Sequence, residues 1–448
     1  MKPRGAEPAG TAGVFTRTIR NAGWLLGGKG VGAVFSLIYL AMAARSLGLT
    51  AFGEFTLVLT YGQAVSNLVQ FQSWQSVIRY GAIHLAAKQA GRLSRVLAFT
   101  ILLDLSAAAA GALLAGVGVL AVGPYFGWSA EEQSRAALFG MSLLFGLRGT
   151  PTGVLRLFDR FDLAAYSETM LPTMRLVGAT TVWLTEPSVE GFLVAWAVAE
   201  LVTTAVMWTA ASRELRRHGL RLGGEGPFIA GVLAENPGLW RFACFTNITT
   251  SINLVWQQVG VMAVGMVSGP GPAGGYRVAY QMAQALSKPS LSLARSVYPE
   301  FARLAAEGGP GALTGLLRRI TLVAAGGGLI AVTVVTLAGE HMLTLVAGPE
   351  FAFAHGVLIL LTTAAALDLC GFGLEPAATA AGRPGLVLAV RAFAGVAYLA
   401  ALSVLLNLWG ITGAASSAVL GSGLFVTIMA VLTWRVVRAA IRAAPAQG

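Results

Sequence analysis

Long apolar runs separated by short polar breaks occupy almost the whole chain. Twelve runs approach or exceed the roughly 20 residues that a membrane-spanning helix needs: 22–44, 53–77, 96–121, 136–155, 166–185, 191–211, 241–267, 274–296, 319–338, 357–379, 386–406 and 411–434. The pattern predicts an all-α polytopic membrane protein with about 12 transmembrane helices.

Polar positions inside these runs recur at helical spacing. On the second run Thr56, Thr60, Gln63, Asn67 and Gln70 step by four, three, four and three. On the eighth, Arg277, Gln281, Gln284, Lys288, Ser292 and Arg295 form a similar stripe. Thr246, Thr250, Asn253 and Gln257 share a face of the seventh, and Lys29, Gly32 and Ser36 a face of the first. Neutral stripes often serve as hydrogen-bonded glue between helices, at about 0.6–2 kcal/mol per contact. A cation near the middle of a span costs at least about 2.5–3.5 kcal/mol, so it faces a wet cavity or a partner. Lys29, Arg277 and Lys288 are therefore candidate cavity cations. The alternatives are structural ion pairs and, for Lys288, snorkelling to the interface. GGKGVG around Lys29 is not a phosphate-binding loop, because no Ser or Thr follows the lysine and no strand precedes it. Its glycines suit close packing or bending.

The intramembrane carboxylates are Asp104, Glu200, Asp368 and Glu375. Asp368 and Glu375 are seven apart on one helical face, within reach of cations such as Arg148, Arg175 or Arg391. Ion-pair structure is one reading of these four acids and a proton or sodium relay the other.

Composition confirms the class and charge orients it. Of 448 residues, 56% are hydrophobic and 11% charged, and the net charge is +11. Mean hydropathy is +0.70. In a soluble protein that charge would point to nucleic acid, but here it concentrates in alternate loops. Lys2, Arg4, Arg17 and Arg20 precede the first span, and Arg79, Lys88, Arg92 and Arg95 follow the second. Arg156 and Arg160, then Arg213, Arg216, Arg217 and Arg221, continue the series to Arg435, Arg438 and Arg442. Intervening loops hold only Arg45 and Arg135, so both termini are expected in the cytoplasm. Ala41-Met42-Ala43 offers a signal-peptide reading of the first span, against which stand its length and Lys29. Cys244 and Cys370 lie inside spans and define neither a disulfide framework nor a metal site.

The chain carries an internal repeat. Gly53 and Gly275 open the second and eighth spans 222 residues apart, and Pro151 and Arg160 are echoed by Pro376 and Arg383 at offsets of 225 and 223. The expected organisation is an N-terminal six-helix lobe (1–211), a basic cytoplasmic connector (212–240), and a C-terminal six-helix lobe with a cytoplasmic tail (241–448). An even number of spans per copy places both copies in one orientation, predicting two pseudo-symmetric lobes around a central cavity. No catalytic triad, metal cluster or cofactor motif emerges among His84, His218, His341, His355 and the other polar residues. A non-enzymatic transporter without a cofactor is expected. His84, Lys88, Arg92 and Arg95 follow helical spacing, as a surface helix on anionic headgroups or a solvated face would.

ARSLGLTAFGEF, PTGVLRLFDRFDLAAYSE and GGYRVAYQMAQALSKPSLSLARSVYPEFARL, taken with their order and topology, resemble the polysaccharide transporter branch of the multidrug/oligosaccharidyl-lipid/polysaccharide exporter superfamily. The likeness runs from about Arg17 to about Arg435, with Leu49-Thr50 departing from the Pro common after the Leu-Gly pair. The resemblance implies a flippase for lipid-linked oligosaccharides of O-antigen, capsule or exopolysaccharide type in the bacterial inner membrane. It also implies cavity walls from the first, second, seventh and eighth helices. Lys29, Arg277 and Lys288 would then meet the pyrophosphate of an undecaprenyl carrier. Gln63, Asn67, Asn253, Gln257, Gln281 and Gln284 would bond sugar hydroxyls, and Asp104, Glu200, Asp368 and Glu375 are candidates for ion coupling. Its partners would be the lipid-linked glycan, membrane lipids and polysaccharide assembly machinery, not nucleic acid. The rivals are a cation-coupled multidrug exporter, a membrane-embedded glycosyltransferase or polymerase, and a scaffold without transport activity.

Overall fold

The structure is a computed structural model that describes residues 11–220, 228–285, 309–380 and 384–443. These residues form α1 (Thr11–Val69), α2 (Ser73–Ala86), α3 (Ala90–Val122), α4 (Ala130–Leu144), α5 (Gly149–Leu157), α6 (Phe161–Leu184) and α7 (Val189–Arg217). They continue as α8 (Phe228–Glu235), α9 (Leu239–Ser268), α10 (270–285), α11 (Gly309–Val346), α12 (His355–Gly371), α13 (Leu374–Ala380) and α14 (Pro384–Ala443).

As straight helices, α1 with 59 residues and α14 with 60 would reach about 90 Å, three times the hydrocarbon thickness. Each breaks at a glycine with positive φ, Gly48 (φ 74°) and Gly410 (φ 58°), a region that costs other L-residues dearly. At the second break the chain turns sharply. Residues eight apart in an intact helix lie about 12 Å apart, yet a Cβ on Gly413 would sit 1.9 Å from the Leu405 carbonyl oxygen. Counting each limb once, α1, α3, α4, α6, α7, α9, α10, α11, α12 and α14 give twelve helical segments among the described residues, where six helices are long and apolar enough to cross a membrane.

Three spans expected to be continuous are not. The run 53–77 breaks between Val69 and Ser73, 136–155 between Leu144 and Gly149, and 357–379 between Gly371 and Leu374. The short helices α5 and α13 follow two of these breaks, and they begin 225 residues apart. Pro151 and Pro376 occupy the third position of each, inside the first turn where a missing N–H is tolerated. The turn glycines repeat as well: Gly48 and Gly269, and Gly127 and Gly348, are positive-φ pairs each 221 positions apart. The duplication is thus written in the backbone.

The chain divides into two compact units, one holding Met1–Tyr39 with Val58–Gln258 and the other Leu40–Leu57 with Val259–Gly448. In the first, Val77, Leu93, Leu97, Val154, Leu155 and Leu215 bind α2, α3, α5 and α7 into one core. A second core joins Tyr80, Val96, Phe99 and Leu103 to Val232, Leu239 and Ala243, so α8 and the start of α9 pack against α2 and α3. In the second unit Leu374, Ala378, Val390 and Met429 pack α13 against both limbs of α14. Arg45 caps α11 there, donating to the carbonyls of Thr344, Leu345 and Val346 at 3.0, 2.5 and 3.2 Å.

The helical spacing of His84, Lys88, Arg92 and Arg95 does not make one surface helix. α2 ends at Ala86, Lys88 adopts φ 55° in a turn, and Arg92 and Arg95 belong to α3. His84 is buried with Nε2 2.8 Å from Asn236 Oδ1, and Arg95 holds Glu235 through contacts of 3.1 and 2.6 Å. That guanidinium keeps the Glu235 carboxyl below the usual carboxylate range.

Candidate functional site

Two buried polar clusters organise the first unit, and both use the break between α4 and α5. Asp104, on α3, is 5% exposed. One carboxylate oxygen accepts from the Ser73 hydroxyl at the start of α2. The other accepts from the Thr150 amide at 3.3 Å and hydroxyl at 2.8 Å, at the start of α5. Two helix N-termini therefore converge on one acid, supplying donors and positive dipole ends in place of a basic side chain. Asp104→Asn keeps one acceptor but presents an NH2 group where the second was. It is expected to lower stability by about 2 kcal/mol, measured as thermal unfolding of the purified protein in detergent.

The second cluster centres on Glu200 of α7. Its Oε1 lies 2.7 Å from Arg175 of α6, and its Oε2 2.8 Å from Arg148 in the unwound α4–α5 turn. Arg175 also donates to the Tyr39 hydroxyl at 3.4 Å and stacks over Trp196 at 5.2 Å, with Tyr39 edge-on to that indole. The Leu147 carbonyl freed by the break accepts from Trp208 Nε1 at 2.8 Å. Tertiary partners thus satisfy the unwound turn, as irregular backbone inside a membrane requires. Arg148 and Arg175 pair with Glu200, not with Asp368 or Glu375. Sequence separation gave no hint of this choice, although Gly146, Arg148 and Gly149 inside an apolar run mark the break itself.

In the second unit Glu375, in the first turn of α13, is paired with Arg391 of α14. Asp368 of α12 is hydrogen-bonded to Ser422, with the charges of Arg391 and Glu375 nearby. Each repeat therefore places a carboxylate–arginine pair beside its broken helix, Glu200–Arg148 in one copy and Glu375–Arg391 in the other.

The polar faces are graded. On the second limb of α1, Thr56 and Thr60 are fully buried, while Gln63 and Asn67, like Gln70 just beyond its end, are half-buried. On α10 the face carrying Tyr276, Ala279 and Ala283 packs inside, and Arg277, Gln281 and Gln284 remain half-open. On α9 Gln257 is exposed. Lys29 and Asn253 lie on α1 and α9 outside the residues whose side chains are described. Lys288, Ser292 and Arg295 lie outside the described residues altogether. Among the described residues, no three His, Cys, Asp or Glu side chains gather to hold a metal ion.

A duplicated bundle of long apolar helices, with polar faces and broken helices, is an integral-membrane fold, and known proteins share it. The fold matches an inward-facing multidrug-resistance MATE family transporter of the MOP superfamily with a TM-score of 0.72 at 14% identity, covering 92% of this chain and 96% of that one. It matches the lipid II flippase MurJ, in an inward closed conformation, with a TM-score of 0.65 at 10% identity, covering 92% and 90%. The inner membrane protein YghQ of Escherichia coli (strain K12) is 31% identical over 356 residues, 77% of this chain and 97% of that protein. The family model for polysaccharide biosynthesis proteins matches residues 18–305, and the chain belongs to that family.

Proposed function

We propose that the protein is a flippase for undecaprenyl-pyrophosphate-linked oligosaccharide, an O-antigen, capsule or exopolysaccharide unit. By alternating access it would carry this substrate from the cytoplasmic to the outer leaflet of the bacterial inner membrane. The observation that carries the reading is how its charges are used. Glu200 and Glu375 are neutralised by arginine, and Asp104 and Asp368 are engaged by hydroxyl donors. Meanwhile the half-open helix faces carry amides and the cation Arg277. Such faces suit an anionic carrier with a hydroxyl-rich headgroup better than a cationic drug. Family membership and the inner-membrane relative support the same reading, as does the fold shared with a flippase.

In this mechanism Lys29, Arg277 and Lys288 attract the pyrophosphate. Gln63, Asn67, Asn253, Gln257, Gln281 and Gln284 exchange hydrogen bonds with sugar hydroxyls that hydrocarbon would otherwise strip. The halves 1–211 and 241–448, joined by 212–240, alternate with both ends of the sequence in the cytoplasm. Membrane lipids and polysaccharide assembly machinery are the partners.

Reorientation of a fluorescent undecaprenyl-pyrophosphate oligosaccharide in proteoliposomes, scored with an impermeant quencher, tests this. Lys29→Ala and Arg277→Ala should each slow flipping about tenfold or more, the value of one charged contact to phosphate. If wild type accelerates none of several lipid-linked glycans but shows proton-dependent export of a cationic dye, the protein is a drug exporter.

A further inference from the structure

The exposed and half-buried arginines of the first unit differ in what they touch. Arg95 and Arg92 reach Glu235 at 2.6 and 3.9 Å, Arg160 reaches Asp162 and Glu214 at 3.0 Å each, and Arg217 reaches Glu214 at 3.1 Å. Arg79 of α2 and Arg241 of α9 have no carboxylate partner among the described residues. They rest on aromatic rings. The Arg79 guanidinium is 4.5 Å from the Phe242 centroid and 5.6 Å from that of Tyr80, and Arg241 is 5.9 Å from Phe245. Tyr80 and Phe242 pack edge-to-face at 6.0 Å, joining the two helices at this place.

A ring beneath a guanidinium fixes its plane without using its N–H groups, so the in-plane fork stays free for an oxyanion. The surroundings say where that oxyanion comes from. Ile83, Trp240 and Phe245 are 60%, 51% and 64% exposed around the pair. Apolar and indole side chains mixed with unpaired arginine are what the headgroup level of a bilayer selects. A soluble anion would leave those side chains in water, whereas a phospholipid covers them with its acyl chains.

We propose that Arg79 and Arg241 form a docking site for the phosphate of an anionic phospholipid of the surrounding membrane. The bound headgroup bridges α2 to the start of α9. The headgroup phosphate sets one negative charge against two guanidiniums for which the described residues supply no carboxylate.

The test is binding of phosphatidylglycerol to the detergent-purified full chain, titrated by thermal stabilisation and checked by lipid retention in native mass spectrometry. Arg79→Gln with Arg241→Gln should weaken binding roughly 25-fold, about fivefold per arginine. Arg79→Lys with Arg241→Lys should fall between, keeping charge but losing the planar fork. Arg92→Gln, whose partner is Glu235, should bind like wild type. Three results overturn the proposal: unchanged affinity in the double glutamine variant, equal stabilisation of wild type by phosphatidylcholine, or equal protection by inorganic pyrophosphate. The last two are read on wild type alone, so they decide the matter even if a variant fails to fold.

Discussion

Replacing Glu200 with alanine is expected to cost about 3–5 kcal/mol of stability, among the largest losses any single substitution should cause here. The carboxylate is 5% exposed and stands between Arg175 and Arg148 at 2.7 and 2.8 Å. Without it, the buried Arg175 guanidinium and the partly buried one of Arg148 lose the carboxylate between them. Glu200→Gln should act in the same direction with a smaller effect, since the amide keeps one acceptor. Adding Arg175→Met to Glu200→Ala should recover part of the loss, because the buried cation leaves with its partner. Thermal unfolding of the three variants in detergent reads these differences. A Glu200→Gln protein that melts like wild type yet loses pH dependence of transport would instead make Glu200 a proton carrier.

That cluster also marks where the sequence stops being legible. The twelve spans could be read from apolar run length because lipid imposes that length whatever the packing. The duplication could be read because Gly53, Gly275, Pro151 and Pro376 serve backbone needs that recur in both copies. The breaks before α2 and α13 were hidden, since unwinding inside a bundle leaves the apolar run intact; the break before α5 had only Gly146, Arg148 and Gly149 to signal it, and it is stabilised by distant partners, Trp208 and Glu200. Pairing was hidden for the same reason. Arg175 meets Glu200 because α6 and α7 pack together, and nothing local distinguishes Glu200 from Asp368 as its partner. The repeat of α1 and α10 as polar-faced helices followed from period alone, and the half-open side chains at Gln63, Asn67, Arg277, Gln281 and Gln284 agree with it.

Gly53→Ala is expected to lose about 3 kcal/mol or more, and Gly53→Leu to prevent the second unit from folding. A Cβ at position 53 would lie 2.0 Å from the Pro270 carbonyl oxygen and 2.3 Å from its carbon. A Cβ on Gly274 would stand 3.2 Å from the Gly53 Cα, so the start of the second limb of α1 meets the start of α10 backbone to backbone. Backbone cannot rotate out of the way as a side chain can. Gly275, the repeat mate of Gly53, supplies the comparison: its Cβ would meet the Phe353 ring at 2.5 Å, and a ring can tilt. Gly275→Ala should therefore be milder than Gly53→Ala. Gly326→Ala and Gly327→Ala on α11, with nothing within 4 Å, should be neutral or gain up to about 1 kcal/mol from helix propensity. Folded yield and melting temperature of the four alanine variants give the ranking. If Gly53→Ala ranks with Gly326→Ala, the α1–α10 crossing is looser than the backbone contact requires, and the repeat would hold these glycines for bending, not for packing.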